Sequence, residues 1–218
     1  MKRKTQDLHA TGRRPRDEAR KARNELYRQH ILDAAEKVFA DRGFETAKVQ
    51  EISDLAGLSM GSIYAIFPSK TDIHRAILEE RAVQMLALAR DVVARNATPV
   101  ETLNELIRAY VGYFLAHPNF LRMHLRQGTS WVLSPTAATD SQMQKWREIH
   151  ELQTEVFRRG IACGVFIDED PTYLAKLFSA MDQVLLSDWV ESGMQAGESQ
   201  LVRRMQALVE RSFSVAPR

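Results

Sequence analysis

The chain has 218 residues, 44% of them hydrophobic and 27% charged, with a formal net charge of +2. That is enough to bury a sizeable core in one large or two modest domains without disulfide or metal staples. The lone Cys163 excludes an internal disulfide framework, and the longest uncharged stretches are too short to cross a bilayer. The first 28 residues are polar and basic rather than an apolar secretory leader, so the expected setting is the cytosol, with no membrane partner.

Charge is distributed unevenly. Residues 1–23 hold nine Lys or Arg, among them Arg13, Arg14 and Arg16, against three acids. Such a tail concentrates near polyanions through a salt-sensitive attraction that reads no base sequence. Residues 1–24 are therefore expected to form a flexible basic arm.

Beyond the arm, apolar residues recur at helical spacing and no run alternates strictly, so the chain should be all-α. Ile31, Ala34, Ala35, Val38 and Phe39 mark one face of a first helix, which stops at Gly43. A second, short helix is expected from about Lys48, broken at Ala56-Gly57-Leu58. Ser59 then caps a third helix that ends before Pro68. Ile52, Leu55, Leu58 and Ile63 have the spacing of a small shared core, and Gly57 supplies the positive φ of the turn.

The S-x-x-D spacing of Ser69 to Asp72 opens a fourth, long helix running to about Asn96. Five more helices are expected near 100–116, 118–127, 139–162, 171–192 and 198–213. Their separators are Pro118, Gly128 to Thr139, Gly164 to Pro171, and Gly193 to Gly197. The segment Thr129 to Thr139 reads as an unusually apolar loop, suited to covering a cavity. The three G-x-x-x-G spacings, at Gly57, Gly160 and Gly193, read as turn glycines.

Three short helices with a tight turn between the second and third form the arrangement that lays a helix in the major groove. The stretch Val49 to Lys70, VQEISDLAGLSMGSIYAIFPSK, resembles the DNA-binding domain of the TetR family, whose pattern reads approximately V-x-x-I-x-x-x-A-G-V-S-x-G-x-[IL]-Y-x-x-F-x-S-K. The match falls at Val49, Ile52, Ala56, Gly57, Ser59, Gly61, Ile63, Tyr64, Phe67, Ser69 and Lys70. With the first helix the resemblance covers roughly residues 28–80.

It implies an arm at 1–24, a helix-turn-helix domain at 25–85 (motif about 48–67), and a ligand-binding and dimerisation domain at 86–218. The implied function is a homodimeric regulator, a repressor released from a palindromic operator in double-stranded DNA by a largely apolar or aromatic effector. The DNA-facing residues would be Arg13, Arg14, Arg16, Thr46, Lys48, Ser59, Met60, Gly61, Ser62, Tyr64 and Lys70. Gly61 lets the backbone come close to the duplex, Tyr64 offers a ring and a hydroxyl, and Lys70 can pair with a phosphate.

Two departures from the pattern matter. Lys48 stands where Ser or Thr is usual, leaving Thr46 to cap one turn early, and the recognition helix carries no basic residue. In the C-terminal half, Tyr110, Phe114, His117, Met123, Trp131, Trp146, His150 and Met181 are the ligand-binding candidates. The resemblance further implies that Leu177, Met181, Leu185, Trp189, Val202, Met205 and Val209 form the dimer interface, the alternative being that these stripes only close the chain's own core. No P-loop, H-E-x-x-H, G-x-S-x-G or Cys/His metal spacing is present, so neither a cofactor nor a metal is expected. The rival readings are an architectural DNA-binding protein with no ligand response and, behind it, a small helical enzyme.

Overall fold

A computed structural model of the chain describes residues 15–95, 97–126 and 139–215, with side chains from residue 17 onward. The expected loop from Thr129, including Trp131, and the arm residues Arg13 and Arg14 lie outside the described residues. Nine helices account for almost all of what is described: α1 (Pro15–Arg42), α2 (Val49–Ala56), α3 (Met60–Ile66), α4 (Lys70–Ala94), α5 (Pro99–Ala116), α6 (Pro118–Arg126), α7 (Asp140–Ala162), α8 (Pro171–Glu191) and α9 (Glu198–Phe213). Extended pairing among the described residues is confined to an isolated antiparallel bridge between Phe166 and Ser214. It ties the α7–α8 turn to the end of α9.

Local chemistry sets the helix ends. Ser59, Ser69, Thr98, Thr139 and Asp170 each accept a backbone N–H in the following first turn, which satisfies donors that have no intrahelical partner. Gly57 closes α2 at φ 66°, in the left-handed region that costs glycine nothing.

The first helix begins well before the expected start, so residues 15–24 are helical rather than part of a flexible arm. Pro15 is tolerated in a first turn, Asp17 and Glu18 suit the positive end of the helix dipole, and no Gly or Pro interrupts the chain before Gly43. Nucleation on the buried face from Ile31 onward lets this strong helix-forming sequence propagate backward.

One continuous core runs from Ile31 to Phe213. The long helix α4 packs against α1, α5 and α7, and the expected domain boundary at residue 85 falls inside it without a break. Glycine at position 160 is a helical residue and not a turn glycine. A Cβ there would lie 1.9 Å from the ring of Phe166, which is buried against Phe157. Gly160→Ala should therefore lower stability by roughly 1–3 kcal/mol through overpacking, despite the better helix propensity of alanine. A denaturant midpoint equal to or above that of the parent would contradict this packing.

Candidate nucleic-acid interface and effector cavity

The turn between α2 and α3 is fixed from within. Ser53 donates its hydroxyl to the Leu58 carbonyl at 2.6 Å, Ile52 and Ile63 are fully buried, and Phe67 closes the end of α3. Leu58 is partly buried against this core. Leu55, expected there too, is 47% exposed: α2 is so short that one buried stripe through Ile52 suffices, and Leu55 lies off it.

The opposite side of α3 faces outward. Tyr64 is 48% exposed, Gly61 and Ser59 are exposed, and Met60 and Ser62 are half-buried. The Ser59 and Ser62 hydroxyls lie 2.9 Å apart, and Ser59 also accepts the Ser62 N–H. A Cβ added at Gly61 would meet nothing of the chain nearer than Ser59 Oγ at 3.9 Å. The fold itself therefore sets no requirement for glycine at this position.

Two expected roles change. Lys70 donates Nζ to the carbonyls of Phe44 (2.6 Å), Glu45 (3.1 Å) and Ala47 (3.0 Å), and lies over the Phe44 ring at 4.6 Å. An ammonium has three N–H donors, and all are used to brace the α1–α2 turn, so this lysine is not free to hold a phosphate. Thr46 does not cap α2; its hydroxyl donates back to the Arg42 carbonyl at the end of α1. Lys48 is the residue that precedes α2, and its backbone N–H is accepted by Glu51, which leaves its exposed side chain available.

The early start of α1 adds positions that apolar periodicity did not mark. A groove between the first turns of α1 and the end of α3 is lined on the α1 side by both signs of charge, Arg20, Lys21 and Arg28 with Asp17, Glu18 and Glu25, and on the other side by Ala65 and Ile66. Arg28 lies over the Phe67 ring and pairs with Glu80 at 3.7 Å, whereas Arg20, in an exposed pair with Asp17 at 3.6 Å, and Lys21 face solvent. Arg16 belongs to the first turn of the same helix. Basic residues on α1 are the ones a short apolar stripe cannot reveal, because exposed helix extends where no core position requires it.

A second site lies between α4, α5, α7 and α8. A small cavity of about 20 Å³, room for about one water molecule, is walled by Tyr110, Phe114 and Trp146, with His150, Gln153 and Asp182 among its polar groups. Met85 of α4 also reaches it. Four of the expected ligand-binding residues thus come together. His117, Met123 and Met181 do not line this space: His117 lies 3.4 Å from Arg81, Met123 is buried, and Met181 is partly buried against the core.

Asp182 and Gln153 went unread because a single polar residue on an apolar helix face resembles a pattern error. Asp182 is 2% exposed and its Oδ1 has no hydrogen-bond partner. Burial pushes its carboxyl up to about 8. Burial also pushes the Tyr110 hydroxyl upward, with the Asp182 charge adding to the effect.

Between the two sites lies a buried polar brace. Arg81 of α4 donates Nε and Nη2 to one oxygen of Glu36 on α1, at 3.0 and 2.7 Å. Its Nη1 donates to Gln84 Oε1 at 3.0 Å, which also accepts the Tyr113 hydroxyl of α5 at 2.8 Å. Burial raises the Glu36 carboxyl more than the facing guanidinium lowers it. Arg81 and Met85 stand one turn apart on α4, so one helix touches both the brace and the cavity.

Five of the expected dimer residues serve the chain's own core. Leu185, Trp189, Val202, Met205 and Val209 are buried by the chain itself, and Trp189 donates its indole N–H to the Ala196 carbonyl. Leu177 and Met181 are partly buried. An apolar stripe on a helix does not disclose which half of it meets the home core. The open apolar surface of α8 instead carries Tyr173 and Val184, the latter 69% exposed, with Leu177 on the same face.

Residues 31–77 match the family model described as bacterial regulatory proteins, tetR family. The chain is 26% identical over 192 residues to the HTH-type transcriptional repressor AcnR of Corynebacterium diphtheriae, covering 86% of this chain and 91% of that one. Two solved structures share the fold. The regulator FadR of Bacillus subtilis in complex with stearoyl-CoA is 20% identical with a TM-score of 0.68, covering 83% of this chain and 96% of that one. A Saccharomonospora viridis regulator in complex with choline is 21% identical with a TM-score of 0.70, covering 86% and 97%. Among the described residues no helix is long and apolar enough to cross a membrane.

Proposed function

From the premise that the chain belongs to the TetR family of bacterial regulatory proteins, and so is a DNA-binding transcriptional regulator, we propose how its parts divide the work: a homodimer represses from a palindromic operator and releases it when an effector enters the C-terminal cavity. The observation that carries the reading is the exposed face of α3. The helix is pinned by buried Ile63 and capped by Ser59, with Tyr64 and the unobstructed Gly61 turned outward.

In this reading Tyr64, Met60, Ser59 and Ser62 approach the major groove, with Gly61 allowing the backbone near the duplex. Lys48, Arg20 and Lys21 supply phosphate contacts in place of Lys70, together with Arg13 and Arg14 of the arm and Arg16 in the first turn of α1. Two heads reading successive turns of a palindrome need two-fold symmetry. The α8 face through Tyr173, Leu177 and Val184 is the apolar surface best suited to a twin.

An effector entering beside Met85 and Tyr110 would displace α4 and, through Arg81, the α1 unit that carries the reading head. Near-complete switching requires the effector to prefer the released state by roughly 10⁴-fold.

The test is Tyr64→Ala in an anisotropy titration against DNA from upstream of the chain's own gene. Specific affinity should fall at least tenfold, while helicity and Tm change little because Tyr64 lies outside the buried core. Undiminished specific binding by this variant would remove α3 as the reader.

A further inference from the structure

We propose that the effector carries a cationic nitrogen, with Asp182 as its counter-ion and the rings of Tyr110, Phe114 and Trp146 as its walls. This rests on the reading of that cavity as the effector site and adds its chemistry.

The lining holds one carboxyl group and no lysine or arginine. That carboxyl is almost wholly covered, and one of its oxygens meets no donor. Leaving such a group unmatched is costly. The chain does match its other deeply buried acid, since Glu36 receives two guanidinium N–H groups. Asp182 therefore stands apart as a buried acid that no guanidinium or ammonium of the described residues faces.

The neighbouring groups suit one kind of guest. Aromatic faces attract cations, most strongly where water is excluded, and three aromatic side chains converge here. Gln153 Oε1 accepts the Ser179 hydroxyl at 3.1 Å, which fixes its amide in the wall of the same cavity. Trp146 and His150 are one helical turn apart on α7 and only partly buried, unlike Tyr110, Phe114 and Asp182. A guest larger than water reaches the carboxyl by shifting those two. Burial has already driven the Asp182 carboxyl toward its neutral form, so an arriving ammonium would pair with the carboxylate as the proton on Oδ1 or Oδ2 leaves to water. A neutral guest gains nothing from that exchange.

Calorimetric titration of the full-length protein with n-butylammonium chloride, 1-butanol and sodium butyrate at neutral pH tests this. The ammonium should bind at least tenfold more tightly than the alcohol, with butyrate weakest. Asp182→Asn, which keeps the shape of the side chain, should erase the preference for the ammonium and leave the alcohol unaffected. Tyr110→Phe should keep the preference. Equal binding of all three probes, stronger binding of butyrate, no binding of the ammonium, or an ammonium preference that survives Asp182→Asn would each overturn the inference.

A parallel gel shift separates this from the underlying reading. Ammonium binding that depends on Asp182 but leaves operator affinity unchanged would support the cation site and refute effector release. Release of the operator by an anionic or neutral ligand with no ammonium binding would do the reverse.

Discussion

Arg81→Met should lower the stability of the protein by roughly 3–5 kcal/mol, because it strands Glu36 as a buried carboxylate with no counter-charge. For a chain of this length that corresponds to a fall in Tm on the order of 10 °C. Glu36 is 7% exposed and takes both of its charged hydrogen bonds from this one guanidinium. The guanidinium also lies over the Phe120 ring at 5.8 Å. Water cannot easily replace it.

The partner variant gives the opposite lesson. Replacing both members, as in Glu36→Leu with Arg81→Met, removes two desolvated charges together, and most of the lost stability should return. The stable double variant then isolates the functional role of the brace. It should bind operator nearly normally, since α3 is untouched, and respond more weakly to effector, since α4 loses its buried directional bond to α1 and keeps the more exposed Arg28–Glu80 pair. Thermal melts and gel shifts on the three proteins decide this. A double variant as unstable as Arg81→Met would mean that the site cannot close over apolar side chains, and an undiminished effector response would place the coupling elsewhere.

The legibility of this fold follows from where its signals are local. Ser59, Thr98, Thr139 and Asp170 are caps that act within one turn. Pro and Gly punctuate the same boundaries, so eight helices could be placed within a residue or two from sequence. The start of α1 could not, because its extra turns bury nothing and leave no apolar period. The outward face of α3 was readable because the family pattern fixes the turn, and the turn fixes which side of so short a helix is left over.

Tertiary competition explains what was hidden. Lys70 looked like a phosphate ligand until the α1–α2 turn placed three carbonyls around its ammonium, from residues more than twenty positions away in sequence. The stripes on α8 and α9 were correctly apolar but their direction depends on neighbours, and α5 and α9 enclose each other. Asp182 is the extreme case. Its significance lies in what surrounds it, and the residues around it come from α4, α5 and α7.

The same residue gives the second large effect, as a difference in how stability responds to pH. In the folded chain the Asp182 carboxyl is raised to about 8 from a reference of 3.8. Below about pH 4 it is protonated whether the chain is folded or not, and ionisation makes no difference to stability. Between about 4 and 8 the unfolded chain releases a proton that the folded chain keeps, so stability falls as pH rises, by up to about 1.4 kcal/mol per pH unit. Above 8 both states are ionised and the slope ends.

Asp182→Asn abolishes this contribution. Its stability advantage over the parent should be near zero at pH 4 and grow to a few kcal/mol by pH 8, with water penetration and local relaxation keeping it below the full linkage value. Glu36, His74 and His124 are also shifted, yet they titrate alike in the two proteins and cancel in the difference. Denaturant unfolding of both proteins at pH 5, 6.5 and 8 measures the gap. A gap that stays constant across those values would mean that Asp182 keeps an ordinary acidity in the folded chain, and that its oxygen has a partner in solution.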